Sequence, residues 1–124
     1  MDYFFVGLGG FLGANARYLV AHWIGMRYGT SFPYGTLVIN VSGSFVIGLF
    51  LVLVTEHFIV HPNWRLFFSV GFLGAYTTFS TFSFESLVLM ENGFWLLSLL
   101  NIVGSVVLGL MATLSGVMIA RLFS

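Results

Sequence analysis

Gly71-Phe72-Leu73-Gly74-Ala75-Tyr76-Thr77-Thr78-Phe79-Ser80-Thr81-Phe82-Ser83-Phe84-Glu85 sits inside an otherwise apolar stretch, and its reading decides the fold. Two glycines and a Thr-Thr pair weaken a helix near the centre of a candidate membrane span, where lipid offers no replacement hydrogen bonds. A break there persists when it is buried in protein or lines a cavity. It turns the carbonyl end of one half-helix and the N–H end of the next toward one spot, giving ligands for a cation and donors for an anion. The same residues also fit an unbroken helix whose hydroxyls bond back to their own carbonyls.

Around this run the chain reads as membrane protein. Of 124 residues, 59% are hydrophobic and 6% charged, against roughly 25% charged in an ordinary soluble domain. Water cannot be the solvent for so apolar a surface, so lipid must cover it. A bilayer core needs about 20 apolar residues per helix. Four segments meet that length, at about 3–26, 35–54, 65–90 and 95–120, with the break inside the third. The joints hold Arg27 to Pro33, Glu56 to Asn63, and Glu91-Asn92-Gly93. The expected architecture is an all-α integral membrane protein, one domain over residues 1–124. The first residues, Met1-Asp2-Tyr3-Phe4-Phe5, lack the cationic region of a signal peptide, so the first span is expected to be retained.

Net charge is zero and lysine is absent, which argues against nucleic-acid partners. Without cysteine there are no disulfides and no thiolate chemistry. No Ser-His-Asp set, phosphate loop or nucleotide fingerprint is present, so an enzyme has no chemical anchor. His57 and His61 stand four apart but lack a third metal ligand, and with His22 they read as interfacial residues.

Four spans place the N-terminus, second joint and C-terminus on one side, with the first and third joints on the other. The first side carries Arg65 and Arg121; the second carries Arg27, with Arg17 in the nearer half of the first helix. The arginine bias that usually orients a membrane protein is therefore missing. Such balance suits a dual-topology protein that inserts both ways and pairs head to tail. Small-residue stripes, Gly9 and Gly13 in the first helix and Ser105, Gly109, Ala112, Gly116 and Ala120 in the fourth, suit close helix packing, either within a subunit or between two.

Several residues need a reason to sit in lipid. Phe79 and Phe82 share a helix face beside the hydroxyls of Ser80, Thr81 and Ser83. Aromatic rings have electropositive edges, which can face an anion, although Phe at this spacing more often is plain core. Asn40 and Asn101 carry amides that either donate to an ion or join helices. Arg17 and Glu85 are intramembrane charges. By count along their helices, Arg17, Asn40, Glu85 and Asn101 lie toward the same side and are expected to form one polar cluster, or Arg17 and Glu85 a structural ion pair.

The run Gly71-Phe72-Leu73-Gly74, then Thr77-Thr78-Phe79-Ser80-Thr81-Phe82-Ser83 and Glu85, closely resembles the signature of the bacterial Fluc (CrcB) fluoride channels. The segment from Gly13 to Tyr18 with Arg17, and Pro33-Tyr34-Gly35-Thr36-Leu37 leading to Asn40, are similar to two further motifs of that family. The resemblance spans essentially the whole chain. It implies an antiparallel homodimer of four-helix subunits in the inner (plasma) membrane, with two fluoride pathways and a central structural sodium ion (Na+). It implies that carbonyls of Gly74 and Thr77 hold the sodium, that Phe79 and Phe82 form an aromatic box, and that Asn40 lies at one of its ends. Ser80, Thr81 and Ser83 would supply hydroxyl lining, Arg17 the vestibule arginine, and Glu85 its acidic neighbour. Ala75 and Tyr76 depart from the family, which often has Gly and Leu there, and Phe84 replaces a usually small residue. The implied function is passive fluoride export. The competing reading, a proton-coupled exporter like the small multidrug transporters, requires an acid in the first helix. Here that helix has Arg17, and no acid beyond Asp2 at its edge.

Overall fold

The computed structural model describes residues 1–123, and these are helical with short joints. Helix α1 is Asp2–Tyr28, with Asp2 in its first turn and Arg27 in its last, each charge opposing the helix dipole at its end. It stops at Gly29, whose φ of 79° suits glycine. Helix α2 is Tyr34–His57, and its last turn, Leu53–His57, is π-helical. Helix α3 covers residues 62–76; it starts with Pro62 at its first position, where no N–H is needed, and is π-helical over Arg65–Leu73. Helix α4 is Phe79–Glu91 and helix α5 is Trp95–Arg121.

Three helices, α1, α2 and α5, are each long and apolar enough to cross a membrane. The remaining helical stretch is made in two pieces, α3 and α4, joined by Thr77 and Thr78 in extended conformation. Arg121 pairs with Glu56 at 3.3 Å, so the C-terminus and the second joint share one end. Thr30, Ser31 and Pro33 of the first joint line a cleft with Asn92 and Phe94 of the third, at the other end. The alternating up-and-down order of the spans is thereby visible in side-chain contacts.

The break lies at the two threonines, while both glycines of the run are helical. Thr77 has φ −82° and ψ 155°, whereas Gly74 has φ −63° and ψ −35°. Extended backbone suits a β-branched side chain. Gly71 serves contact instead: a Cβ there would lie 2.6 Å from the Val6 carbonyl oxygen of α1.

Both small-residue stripes pack within the subunit. Gly9 and Gly13 of α1 abut the backbone of Phe67 and Phe72 in α3, leaving no room for a side chain. On α5, Gly116 abuts the Phe45 carbonyl of α2, Gly48 of α2 abuts Thr113, and Ala120 is fully buried. Much else faces outward: Phe11, Leu99, Leu110 and Met118 are among many large apolar residues left exposed, as lipid-facing residues are.

Candidate functional site

At the break, the hydrogen-bond account decides what the backbone can still do. Thr77 returns both its N–H and its hydroxyl to the Leu73 carbonyl, at 3.1 and 2.9 Å. Ala75 accepts from Nε of Arg17 at 3.0 Å. Thr78 donates its N–H to Oδ1 of Asn40 at 2.8 Å and accepts from Nδ2 of Asn40 at 2.9 Å. Among the described residues, the carbonyls of Gly74 and Thr77 receive no hydrogen bond. They sit at the carbonyl end of α3, where the helix dipole adds negative potential.

The start of α4 is the complement. Thr78 caps it, its hydroxyl accepting from the N–H of Thr81 at 3.3 Å and meeting the Thr81 hydroxyl at 3.0 Å. The N–H groups of Phe79 and Ser80, at the first two positions, have no protein acceptor among the described residues. Acceptors and donors without partners thus stand on either side of two residues.

A groove of about 370 Å³ opens on this spot, lined by Asn40, Gly43, Ser44, Ile47, Ser69, Leu73, Gly74, Thr77, Thr78, Phe79, Phe82, Ser105 and Val106. The rings of Phe79 and Phe82 flank it, 5.7 Å apart and inclined at 49°. Phe79 is 78% exposed, lying on the outer surface of the subunit beside unpaired polar groups. Asn40, Gly74, Thr77, Phe79 and Phe82 all line this one groove. Ser80, Thr81 and Ser83 are not part of the lining; the hydroxyl-bearing residues that line it are Ser44, Ser69, Thr77, Thr78 and Ser105. Ser44 was readable, standing four residues after Asn40 on the same face, and its hydroxyl donates to the Asn40 carbonyl at 2.7 Å. Ser105 bears the same relation to Asn101.

The expected single cluster of Arg17, Asn40, Glu85 and Asn101 is not formed. Helix counting places residues by depth but not by azimuth, and these four face different neighbours. Arg17 reaches the Ala75 carbonyl, and the described residues contain no Arg17–Glu85 pair. Glu85 lines a separate cleft of about 370 Å³ with Thr30, Ser31 and Asn92, and its Oε1 is buried without a partner. Asn101 is buried between α5 and α4, donating to Ser86 Oγ at 2.9 Å and accepting from Ser105 at 3.4 Å. Ser98 adds a bond to the Ser86 carbonyl at 2.8 Å. Asn101 is thus interhelical glue. Asn101→Leu is expected to lower stability by about 1–2 kcal/mol, an interhelical hydrogen bond's worth. Thermal unfolding in detergent checks this, and an unchanged transition would rule the role out.

His57 has a buried, unpartnered Nε2, and His61 accepts from the Asn63 N–H through Nδ1 at 3.1 Å. No group of three His, Asp or Glu side chains among the described residues is placed to hold a metal. The unpaired backbone carbonyls of Gly74 and Thr77 are oxygen ligands of another kind. Such oxygens replace the hydration shell of an alkali cation, so Gly74 and Thr77 fit sodium in kind.

Fold and site together define a broken-helix membrane protein, with opposed half-helix ends meeting at an aromatic-edged groove. Residues 4–117 match the family described as CrcB-like protein, Camphor Resistance (CrcB). Relatives named fluoride-specific ion channel FluC include that of Koribacter versatilis, 48% identical over 97% of this chain and 95% of its own length. The FluC of Solibacter usitatus is 50% identical over 98% and 99%, and that of Acidobacterium capsulatum 48% identical over 98% and 97%. The chain belongs to the CrcB-like family.

Proposed function

We propose that this chain is a fluoride-selective channel that lets fluoride leave the cell by passive electrodiffusion. The observation that carries the reading is the groove at the break, lined by Phe79, whose N–H has no protein acceptor among the described residues, and edged by the rings of Phe79 and Phe82. Relatives bearing the name fluoride-specific ion channel support it. Fluoride is small and strongly hydrated, so a deep path must offer many weak donors rather than one fixed cation that would hold it. Ring edges and helix N–H groups are such donors. Arg17 attracts the anion toward the break while its Nε stays on the Ala75 carbonyl. Glu85, with its unpartnered oxygen, lies at the end bearing the first and third joints.

An antiparallel homodimer is part of the reading. The balance of arginines between the two sides supports dual topology. A 78% exposed Phe79 over a polar groove gives a second copy something to cover. Head-to-tail pairing brings two breaks together, doubling the free carbonyls of Gly74 and Thr77 around a central Na+. When bound, that ion supplies positive charge near the middle of the bilayer, lowering the cost of an anion nearby. Ser80, Thr81 and Ser83 then lie near the subunit boundary, where their hydroxyls can complete the path. On this reading the protein works in the inner (plasma) membrane, surrounded by lipid, with no chemical step to catalyse.

Purified protein in potassium-loaded liposomes tests this with a fluoride electrode. Rapid fluoride release that requires valinomycin, with chloride retained, is the expected result. Release driven by a proton gradient without valinomycin would make the protein a coupled exporter, and no release from folded protein would refute transport.

A further inference from the structure

In an unbroken helix the N–H of Thr78 would bond the carbonyl of Gly74, and that of Phe79 the carbonyl of Ala75. Neither bond forms here, and side chains from other helices stand in for the missing partners. Asn40 of α2 takes the Thr78 N–H on Oδ1 and returns a hydrogen from Nδ2 to the Thr78 carbonyl. Arg17 of α1 takes the Ala75 carbonyl. Two residues along from Asn40, the Ser42 hydroxyl meets that of Tyr76 at 3.0 Å. Both neighbours of Thr77 are therefore tied to α2, while the Gly74 and Thr77 carbonyls remain free.

We infer that Asn40 is a positioning residue for a cation at the break, holding the Gly74 carbonyl free by withdrawing the Thr78 N–H from it. The physical drive is the cost of an unpaired amide away from water. Without Asn40, a return of Thr77 to helical backbone would give the Thr78 N–H its ordinary helical acceptor, the carbonyl four residues back, and that bond removes a cation ligand. Asn40 is suited to this because a primary amide presents acceptor and donor side by side, as a peptide group does. Its Oδ1 and one amide hydrogen are committed, and the second amide hydrogen remains for the groove it lines.

The inference rests on reading Gly74 and Thr77 as cation ligands, and its test separates the two ideas. Gly-Ala occurs in this sequence at 13–14 and 74–75, so glycine labelled with ¹³C at the carbonyl and alanine with ¹⁵N yields two carbonyl signals. An Ala14→Ser variant identifies the one from Gly13. In the full-length protein, sodium titration against N-methylglucamine should move the Gly74 signal in the wild type. It should also do so in Asn40→Asp, which keeps the acceptor for Thr78. Asn40→Ala should show, without sodium, a Gly74 signal displaced to a hydrogen-bonded position that sodium no longer moves. Should that variant not fold, Asn40→Ser, too short to reach Thr78, carries the same test. A sodium response equal to wild type in Asn40→Ala or Asn40→Ser overturns the positioning role. If wild type itself ignores sodium, the cation reading falls and with it the role toward a cation; an unmoved sodium-free Gly74 signal on removing Asn40 overturns the backbone clamp as well. Liposome flux, measured separately, bears on the channel reading alone.

Discussion

Phe82→Ile is expected to slow fluoride efflux from liposomes by about two- to tenfold while the protein still folds and assembles. Phe82 lines the groove and is partly buried, its ring 5.7 Å from that of Phe79. Isoleucine is apolar and of comparable bulk, so packing against α4's neighbours is largely kept. What it lacks is the ring's electropositive edge. Well-placed aromatic interactions are worth about 0.5–1.5 kcal/mol; at the top of that range, in a barrier, the loss is about tenfold in rate. A ring that also shapes the narrowest part of the path would cost more. Efflux from proteoliposomes, normalised to folded protein by size-exclusion chromatography, reads the effect. Wild-type flux in this variant would sink the assignment of Phe82 to the anion path, and Phe82 would revert to a residue that fills space.

How far the fold could be read in advance differs from residue to residue. Four helical stretches followed from length and hydropathy, because lipid leaves a helix few alternatives, and three of them are long and apolar enough to cross a membrane. The break in the third stretch was legible too: the two glycines and the Thr77-Thr78 pair drew attention together as helix-weakeners, and it is at the threonines that the backbone is extended, while Gly71 and Gly74 are helical. Helix propensity is a local quantity; what opens the helix at Thr77 and Thr78 is non-local, namely the partners offered by Asn40 and Arg17, 38 and 58 residues away. The π-helical turns over Arg65–Leu73 left no mark in the pattern of apolar residues. Of the groove-lining residues, Asn40 drew attention because a polar side chain in lipid demands an explanation, whereas Phe79 and Phe82 were singled out by the family resemblance, their spacing alone fitting plain core. Ser44 and Ser69 were overlooked among many small polar residues. Arg17 meets the Ala75 carbonyl at the break whereas Glu85 lines a cleft with residues of the first and third joints, and only three-dimensional packing separates the two.

Gly13→Ala and Gly25→Ala, one methyl group each on the same helix, are expected to act in opposite directions. At Gly13 the new Cβ would overlap the Phe72 carbonyl oxygen and lie 3.0 Å from the Phe72 Cα, all of it backbone of α3. Backbone cannot rotate aside as a side chain does, so α3 must move or the subunit loosen. Overpacking of this kind costs about 1–3 kcal/mol, and sometimes more. At Gly25 the Cβ would meet Thr30 Cγ2 at 3.7 Å, ordinary contact, so the usual gain of alanine over glycine in a helix, about 0.5–1 kcal/mol, should appear. Thermal unfolding in detergent should place Gly13→Ala several degrees below wild type and Gly25→Ala at or above it. Flux distinguishes simple loosening from something more specific. Helix α3 carries Gly74 and ends at the break, and its Ala75 carbonyl is the partner of Arg17 on α1. Pushing α3 away from α1 stretches that bond, so Gly13→Ala should lose more fluoride efflux, per folded protein, than Asn101→Leu destabilised to the same degree. Equal flux in the two would mean that the distance between α1 and α3 does not set the geometry at the break, and wild-type stability in Gly13→Ala would mean that the two helices are not packed as described.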